Sequence, residues 1–303
     1  MSLRLYPHNE LSAPDVVSEL CAQARLGLDS GFDGVMLSEH HGGFAGYLPN
    51  PLQMTTILLE DNASGWIAPC PLLLPLRPTA MVAEEVAWLA ARHPDRIGVG
   101  VAVGSLREDF EAMDLPFADA VPRFRAELPR LVAMLRGDEL GGLANDPALR
   151  SCATSPIPVL SAAVSATAAR RAAAAGAGMV LEGMSTTERL AAVRHAYADA
   201  GGRGPVVLIR RVRLGAPRPD LIDRQRAVYA SYATGEHVSG DDQTLTTADP
   251  DAMAQELHAA LRDSGATALN LRVHLPGLEG AEVRAEITAL AEDVLPRLRA
   301  LLS

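Results

Sequence analysis

The feature that most limits how this chain can fold is a regular alternation. Short apolar, β-branched runs alternate with longer helical runs from one end to the other. The strand-like runs are Leu3–Tyr6, Gly34–Ser38, "WIAPCPLLLPL", "RIGVGVAVG", "VLSAAV", "GMVLEG", "VVLIRRVRL" and "ALNLRVHL". Helical runs fall near Pro14–Leu28, Pro51–Leu59, "TAMVAEEVAWLAARH", Leu106–Met113, Arg123–Leu135, "SATAARRAAAAG", Thr187–Ala200, Pro219–Ala233, Pro250–Ser264 and Ala281–Leu302. Eight strands, each followed by helix, predict an α/β fold, the closed (β/α)8 TIM barrel. A doubly wound open sheet needs no particular strand number, so the count favours the barrel. At 303 residues the chain is expected to form one domain over residues 1–303. The stretch "GDELGGLANDPALRSCATSPIP" is rich in turn residues and reads as a loop excursion between the fourth and fifth strands.

Composition enters at three points. The net charge of −10 repels phosphate backbones, so no nucleic-acid partner is expected, although local cations can still hold an anionic cofactor. The three cysteines, Cys21, Cys70 and Cys152, form no CxxC pair and no even-numbered disulfide framework, which points to a reducing, cytoplasmic setting. The opening "MSLRLYPHNELSAP" lacks the apolar core of a secretory signal, and no 18-residue apolar run predicts a membrane span.

The chemistry gathers at strand ends. In a barrel the active site lies at the carboxyl ends of the strands. There, the second strand runs into Glu39-His40-His41. Strand alternation puts His40 on one face with Ser38, Met36 and Gly34, while Val35 and Leu37 face the helices. Adjacent His40 and His41 then diverge, which argues against a metal site, and no HxH or HExxH spacing supports one. A polar strand end making ordinary hydrogen bonds is the plainer alternative.

Other segments carry two readings each. Cys70-Pro71 is unusual inside a central strand. It reads either as a bulge or cis peptide at the pocket rim, or as a strand that stops before Pro69. The glycines of "GVGVAVGS" serve close packing or a ligand; they lack a full dinucleotide fingerprint. Ser165 suits an N-cap, with Ala166 and Thr167 opening a helix whose free N–H groups can take a phosphate. In "ALNLRVHL", Asn270, Arg272 and His274 share a polar face, which suggests pocket lining or internal ion pairs. Arg210, Arg211 and Arg213 could hold an anion or pair with neighbouring carboxylates.

Taken in order, "GFDGVMLSEHHGG…YLPNP", "LLLPLRP…AEEVAWLA…DRIGVGVAVG…EDFEAMDLP", "VSATAARRAAAAG" and "LNLRVHLPGL…VLPRLRALL" resemble the bacterial luciferase-like flavin monooxygenases. The resemblance spans most of the chain. It implies a (β/α)8 barrel, a homodimer, and chemistry on a small organic substrate. It implies reduced FMN with O2, the FMN supplied by a separate flavin reductase, or an 8-hydroxy-5-deazaflavin coenzyme for hydride transfer. It places His40 at a catalytic position beside the flavin, and Cys70-Pro71 at a cis peptide under the ring. Ala102, Val103 and Gly104 fall on the flavin-lining stretch. Arg123 and Ser165, with Ala166 and Thr167, fall at the phosphate. His41, Arg272 and His274 are weaker candidates for substrate contacts; no metal is implied.

The chain departs from the family in two places. "RHPDR" keeps only Arg96 of a Ser-x-Gly-Arg segment, and Val103 stands where some FMN members carry a phosphate-binding arginine. Three readings therefore stand: a flavin monooxygenase, a deazaflavin-dependent hydride-transfer enzyme, and a degenerate barrel with a storage or partner-binding role.

Overall fold

The structure is a computed structural model that describes residues 1–183, 185–230 and 244–303. Among these the strands are β1 (Ser2–Arg4), β2 (Gly34–Leu37), β3 (Trp66–Pro69), β4 (Leu72–Leu73), β5 (Val99–Ala102), β6 (Val159–Ala162), β7 (Gly178–Leu181), β8 (Val206–Leu214), β9 (Leu245–Thr247) and β10 (Ala268–Arg272). The sheet order is β3-β2-β1-β10-β8-β7-β6-β5-β4, with β9 joined to β8 off this path. Every pairing is parallel. β3 and β4 are two halves of one strand, separated by a cis Cys70-Pro71 peptide. Ile67 bridges to Ile97, and its N–H donates to the Arg96 carbonyl at 2.9 Å, so the two ends of the path meet. With β3 and β4 counted as one, eight strand positions close the expected barrel.

The helices are α1 (Ala13–Asp29), α2 (Pro51–Asp61), α3 (Thr79–Arg92), α4 (Arg107–Glu111), α5 (Ala120–Met134), α6 (Pro147–Ser151), α7 (Ala166–Ala175), α8 (Thr187–Asp199), α9 (Pro219–Ala230), α10 (Pro250–Ser264), α11 (Gly280–Ala289) and α12 (Leu295–Leu302). Their starts follow local chemistry. Ser12, Asn50, Ser165, Thr186 and Asp249 each accept a first-turn N–H, and prolines occupy the first turns of α1, α2 and α10. Around the barrel α3 packs on α5, α5 on α7, α7 on α8, α8 on α10, and α11 on α1.

Strand alternation divides the core in two. Leu3, Val35, Leu37, Ile67, Val101, Leu208 and Leu271 face the helices. Met36, Ala68, Cys70, Leu160, Val180 and Val207 fill the barrel interior. Val35 and Leu37 therefore point outward and Met36 inward, as the alternation requires. Above this apolar plug lies Arg4, buried and fully engaged. It donates to Asn270 Oδ1 at 2.8 Å and the Cys70 carbonyl at 2.6 Å, and to the Ser38 hydroxyl. Such pairing is what makes a buried guanidinium tolerable. Asn270 passes the network on to Ser2.

Four local differences separate the structure from the sequence reading. β1 ends at Arg4, because Tyr6 leaves the sheet to pack against Tyr47 and His274. The third strand does not stop before Pro69; it includes Pro69 and resumes after the cis bond. The excursion after the fourth strand is folded: Asp146 caps α6 and accepts from Trp88 Nε1 at 3.1 Å, while Leu149, Cys152 and Ile157 are buried. The C-terminal helical run is broken by a π-helical turn over Leu290–Val294, which brings Leu290, Ala291 and Val294 inside. The last three residues of the Pro219–Ala233 run lie outside the described residues. No described helix is long and apolar enough to cross a membrane.

Candidate active site

At its carboxyl end β2 is tied to the cis peptide from both sides. The Cys70 N–H donates to the Leu37 carbonyl at 2.6 Å, and the Glu39 N–H to the Pro71 carbonyl at 3.1 Å. The chain then loops out over residues 41–47 and returns. The Leu48 N–H bonds the Ser38 carbonyl and the His40 N–H bonds the Leu48 carbonyl, each at 3.1 Å. This double tie fixes the backbone on which the three ionisable residues sit.

Their side chains separate. The Glu39 carboxylate is fully buried. It accepts from the Leu73 N–H at 2.6 Å, from Arg77, and meets His41 Nε2 at 3.0 Å. Glu39 thus staples β4 to the end of β2, with His41 as its outer partner. His40 has a different partner. Its Nδ1 lies 2.7 Å from Asp109 Oδ2, and Asp109 Oδ1 accepts the His41 backbone N–H, also at 2.7 Å. An ionised carboxylate only accepts, so Nδ1 carries the proton in this contact. The Asp109 side chain is 1% exposed and that of His40 12%, so the pair is shielded from water. Among the described residues, no group of three or more His, Cys, Asp or Glu side chains could hold a metal ion.

Asp109 comes from α4, which directly follows the fourth barrel strand. Gly104 makes this possible: its φ is +88°, and a Cβ there would lie 2.9 Å from the Phe110 ring. The acid was visible in "EDFEAMDLP" but carried no signal separating it from its neighbours Glu108 and Glu111. Only the fold brings it to His40.

Aromatic rings surround the imidazole. Phe44 and Tyr47 lie 5.0 and 4.5 Å from His40, ring centre to ring centre, and Tyr47 meets Tyr6 edge-on at 5.4 Å. Beneath Tyr6 lie Arg272, 3.8 Å from the ring centre, and His274, stacked at 5.7 Å. Both are buried. Arg272 donates to Gln225 Oε1 at 2.7 Å, and His274 Nδ1 has no hydrogen-bond partner among the described residues. Burial, helped by Arg272 and His8, pulls the His274 imidazole well below its ordinary range and keeps it neutral. Of the second arginine group, Arg213 lies 3.7 Å from Glu286 and Arg211 donates to Thr244.

The remaining candidates line consecutive strand ends. Leu73 pairs with Ala102, so the cis-peptide segment and the Ala102–Gly104 stretch are neighbours. Ala102, Val103 and Gly104 are half-buried, and Val103 packs against the main core. The Cys70 thiol points into the barrel, where burial raises its pKa, so only its backbone and the half-buried Pro71 remain near the mouth. Ser165 caps α7 after β6. Arg123 is half-buried in the first turn of α5. Thus β2, β3/β4, β5 and β6 present His40, Pro71, Ala102–Gly104 and Ser165 in spatial order. A hydroxyl, first-turn N–H groups and a cation suit a phosphate, and uncharged strand ends suit a planar ring. The donor set fits a flavin-type mononucleotide. Arg96 of the departing segment is structural, donating to the Gly65, Asn62 and Ser64 carbonyls at 2.8 to 2.9 Å.

Residues 4–287 match the model of the luciferase-like monooxygenase family, and the chain belongs to that family. An uncharacterised protein of Mycobacterium tuberculosis is 35% identical over 113 residues, 36% of this chain and 39% of that protein. The chain thus matches about two fifths of the length of that relative. The F420-dependent glucose-6-phosphate dehydrogenase of Tsukamurella paurometabola is 27% identical over 73% of this chain and 75% of its own. Among solved structures, the monooxygenase RslO1 from Streptomyces bottropensis is similar with a TM-score of 0.80 at 20% identity, covering 97% and 98% of the two chains. The oxygenating constituent of 3,6-diketocamphane monooxygenase from Pseudomonas putida, in complex with FMN, gives 0.75 at 16% identity over 98% of each. These structural likenesses define the fold.

Proposed function

We propose that this chain is a flavin-dependent oxidoreductase, acting as a monooxygenase that uses reduced FMN and O2 on a small organic substrate. The observation that carries the reading is the shielded Asp109–His40 pair, set at the carboxyl end of β2 beside the strand ends of β3/β4, β5 and β6. Bound flavin supplies the redox chemistry; the protein supplies orientation and exclusion of water. Cys70-Pro71 and Ala102–Gly104 hold the ring. Arg123, Ser165 and the N–H groups of Ala166 and Thr167 hold the phosphate. With Nδ1 committed to Asp109, any proton that His40 exchanges with a bound molecule passes through Nε2. His40 is the catalytic acid–base or hydrogen-bonding group, and Asp109 sets its tautomer. The protein works as a homodimer in the cytoplasm, with reduced FMN delivered by a flavin reductase.

A second reading is hydride transfer with a deazaflavin coenzyme. Val103, where a phosphate-binding arginine is absent, and the likeness to the F420-dependent dehydrogenase favour it. Fluorescence titration of the purified protein with FMN and with the deazaflavin separates the two. Tight FMN binding together with oxygen uptake under a reduced-flavin supply supports the first reading. Binding of the deazaflavin alone supports the second, and binding of neither leaves only a non-catalytic barrel.

A further inference from the structure

We propose that His274 selects the substrate by pairing its ring Nδ1 with a hydroxyl, and that the substrate class is a small phenol held against the aromatic rings beside His40. This deepens the flavin reading above and rests on it for the chemistry, but not for the binding. β1 lies between β2 and β10 in the barrel. The rings at the carboxyl ends of these three strands form an unbroken run. It passes from His40 through Tyr47 and Tyr6 to His274, with neighbouring centres 4.5, 5.4 and 5.7 Å apart. The flavin reading fills the ends of β3/β4, β5 and β6, so this run borders the part of the mouth left for a substrate. Ring faces and edges favour an aromatic partner over an aliphatic one.

The polar part of the substrate follows from His274. The residue is 4% exposed, yet its Nδ1 has no hydrogen-bond partner among the described residues. A buried polar atom left without a partner costs stability, and few native groups are left so. The neighbouring side chains are already engaged. His8 crosses the ring edge-on at 4.9 Å, but its Nδ1 lies 3.1 Å from the Leu278 carbonyl and its Nε2 2.9 Å from Gln23 Nε2. Arg272 donates through Nε to the His274 carbonyl at 3.3 Å and through Nη2 to Gln225 Oε1 at 2.7 Å. Room lies under the loop over residues 41–47. Gly46, at φ +83°, is held by Asn9 Oδ1, which accepts its N–H at 2.5 Å. A Cβ there would stand 3.6 Å from the Tyr6 ring and 4.0 Å from His274 Cε1, the carbon bonded to Nδ1. Glycine at 46 therefore leaves room for a ligand atom beside the imidazole. Burial, helped by Arg272 and His8, keeps that imidazole neutral. A hydroxyl both donates and accepts, so it pairs with Nδ1 in either tautomer, whereas a carbonyl pairs with only one.

The test uses three probes of similar size: phenol, benzene, which lacks the hydroxyl, and cyclohexanol, which lacks the aromatic ring. Each is titrated into the full chain, with and without FMN, and followed by nitrogen NMR of labelled histidine and by equilibrium dialysis. The His274 resonance is assigned by its absence in His274→Gln. Wild type is expected to bind phenol about tenfold tighter than either other probe, and the His274 nitrogen to shift with phenol but not with benzene. His274→Phe, checked for folding by circular dichroism, is expected to lose the preference for phenol over benzene, and His274→Gln to keep part of it. Absence of phenol binding, an unshifted His274 nitrogen at saturation, or a preference that survives in His274→Phe overturns the proposal. Cyclohexanol bound as tightly as phenol overturns the phenol class. Should His274→Phe fail to fold, the wild-type nitrogen shift decides. If wild type binds neither FMN nor the deazaflavin, the flavin reading fails, and the shift measured without FMN still decides the part played by His274.

Discussion

Replacing Asp109 with asparagine removes one negative charge from beneath His40 while keeping the size of the side chain. Two hydrogen bonds are affected, one to His40 Nδ1 and one from the His41 N–H, both 2.7 Å long. A hydrogen bond to a charged partner contributes about 1.5–3 kcal/mol, and with Asp109 only 1% exposed little of that is screened. If the charge stabilises His40 as it gains a proton, turnover falls by roughly 10- to 150-fold. The amide can donate or accept, so it no longer dictates which ring nitrogen carries the proton. Nitrogen NMR of labelled histidine reads this directly: Nδ1–H in wild type, a mixture in the variant. Steady-state turnover is measured beside it, with flavin affinity as the control for an intact pocket. Turnover within twofold of wild type, or an unprotonated Nδ1 in wild type, would refute the reasoning.

His40→Ala is expected to fold with an unchanged melting temperature to within a few degrees and to lose about 10²- to 10⁴-fold in turnover; undiminished turnover would remove His40 from the chemistry. Gly100→Ala places a Cβ 2.1 Å from the Cys70 sulfur, so it is expected to cost about 1–3 kcal/mol in urea unfolding. Combining it with Cys70→Ala should restore part of that loss; strict additivity would show that the clash is not the cause. The pH dependence of stability follows from His274, whose folded pKa lies well below the ordinary 6.5. The unfolded chain then binds the proton first, so stability is full above about pH 6.5 and declines as the pH falls toward the folded value. Urea midpoints at pH 7.5 and pH 5 should differ more in wild type than in His274→Gln, and equal differences would count against a buried neutral imidazole.

Much of the fold was legible because it depends on short-range patterns. The period-two alternation in "GVML" and "ALNLR" sorts residues between barrel interior and helix layer whatever the neighbouring strands are. Pro14, Pro51 and Pro250 mark helix starts for reasons internal to each helix. His40 could be singled out in the same way, by its parity with Met36. The inner structure of the 137–158 excursion was less legible, because its order comes from Trp88 and the buried Leu149 and Cys152 packing against α3 rather than from local preference. The break in the C-terminal helix likewise answers to the residues that must be buried around Leu290.

By itself the sequence determined the barrel, the order of its elements and the strand end that carries His40, since each follows from periodicity and caps acting over a few residues. It did not determine which partner His40 would have. Asp109 lies 69 residues away in the chain and shares no pattern with it. Only closure of the barrel, the turn at Gly104 and the docking of Cys70-Pro71 onto β2 bring the two together. The same holds for Glu39, three side-by-side ionisable residues in sequence becoming one buried staple and one paired imidazole in space. A hydrogen bond between distant residues is decided by where the backbone delivers them, and that delivery is a property of the tertiary structure.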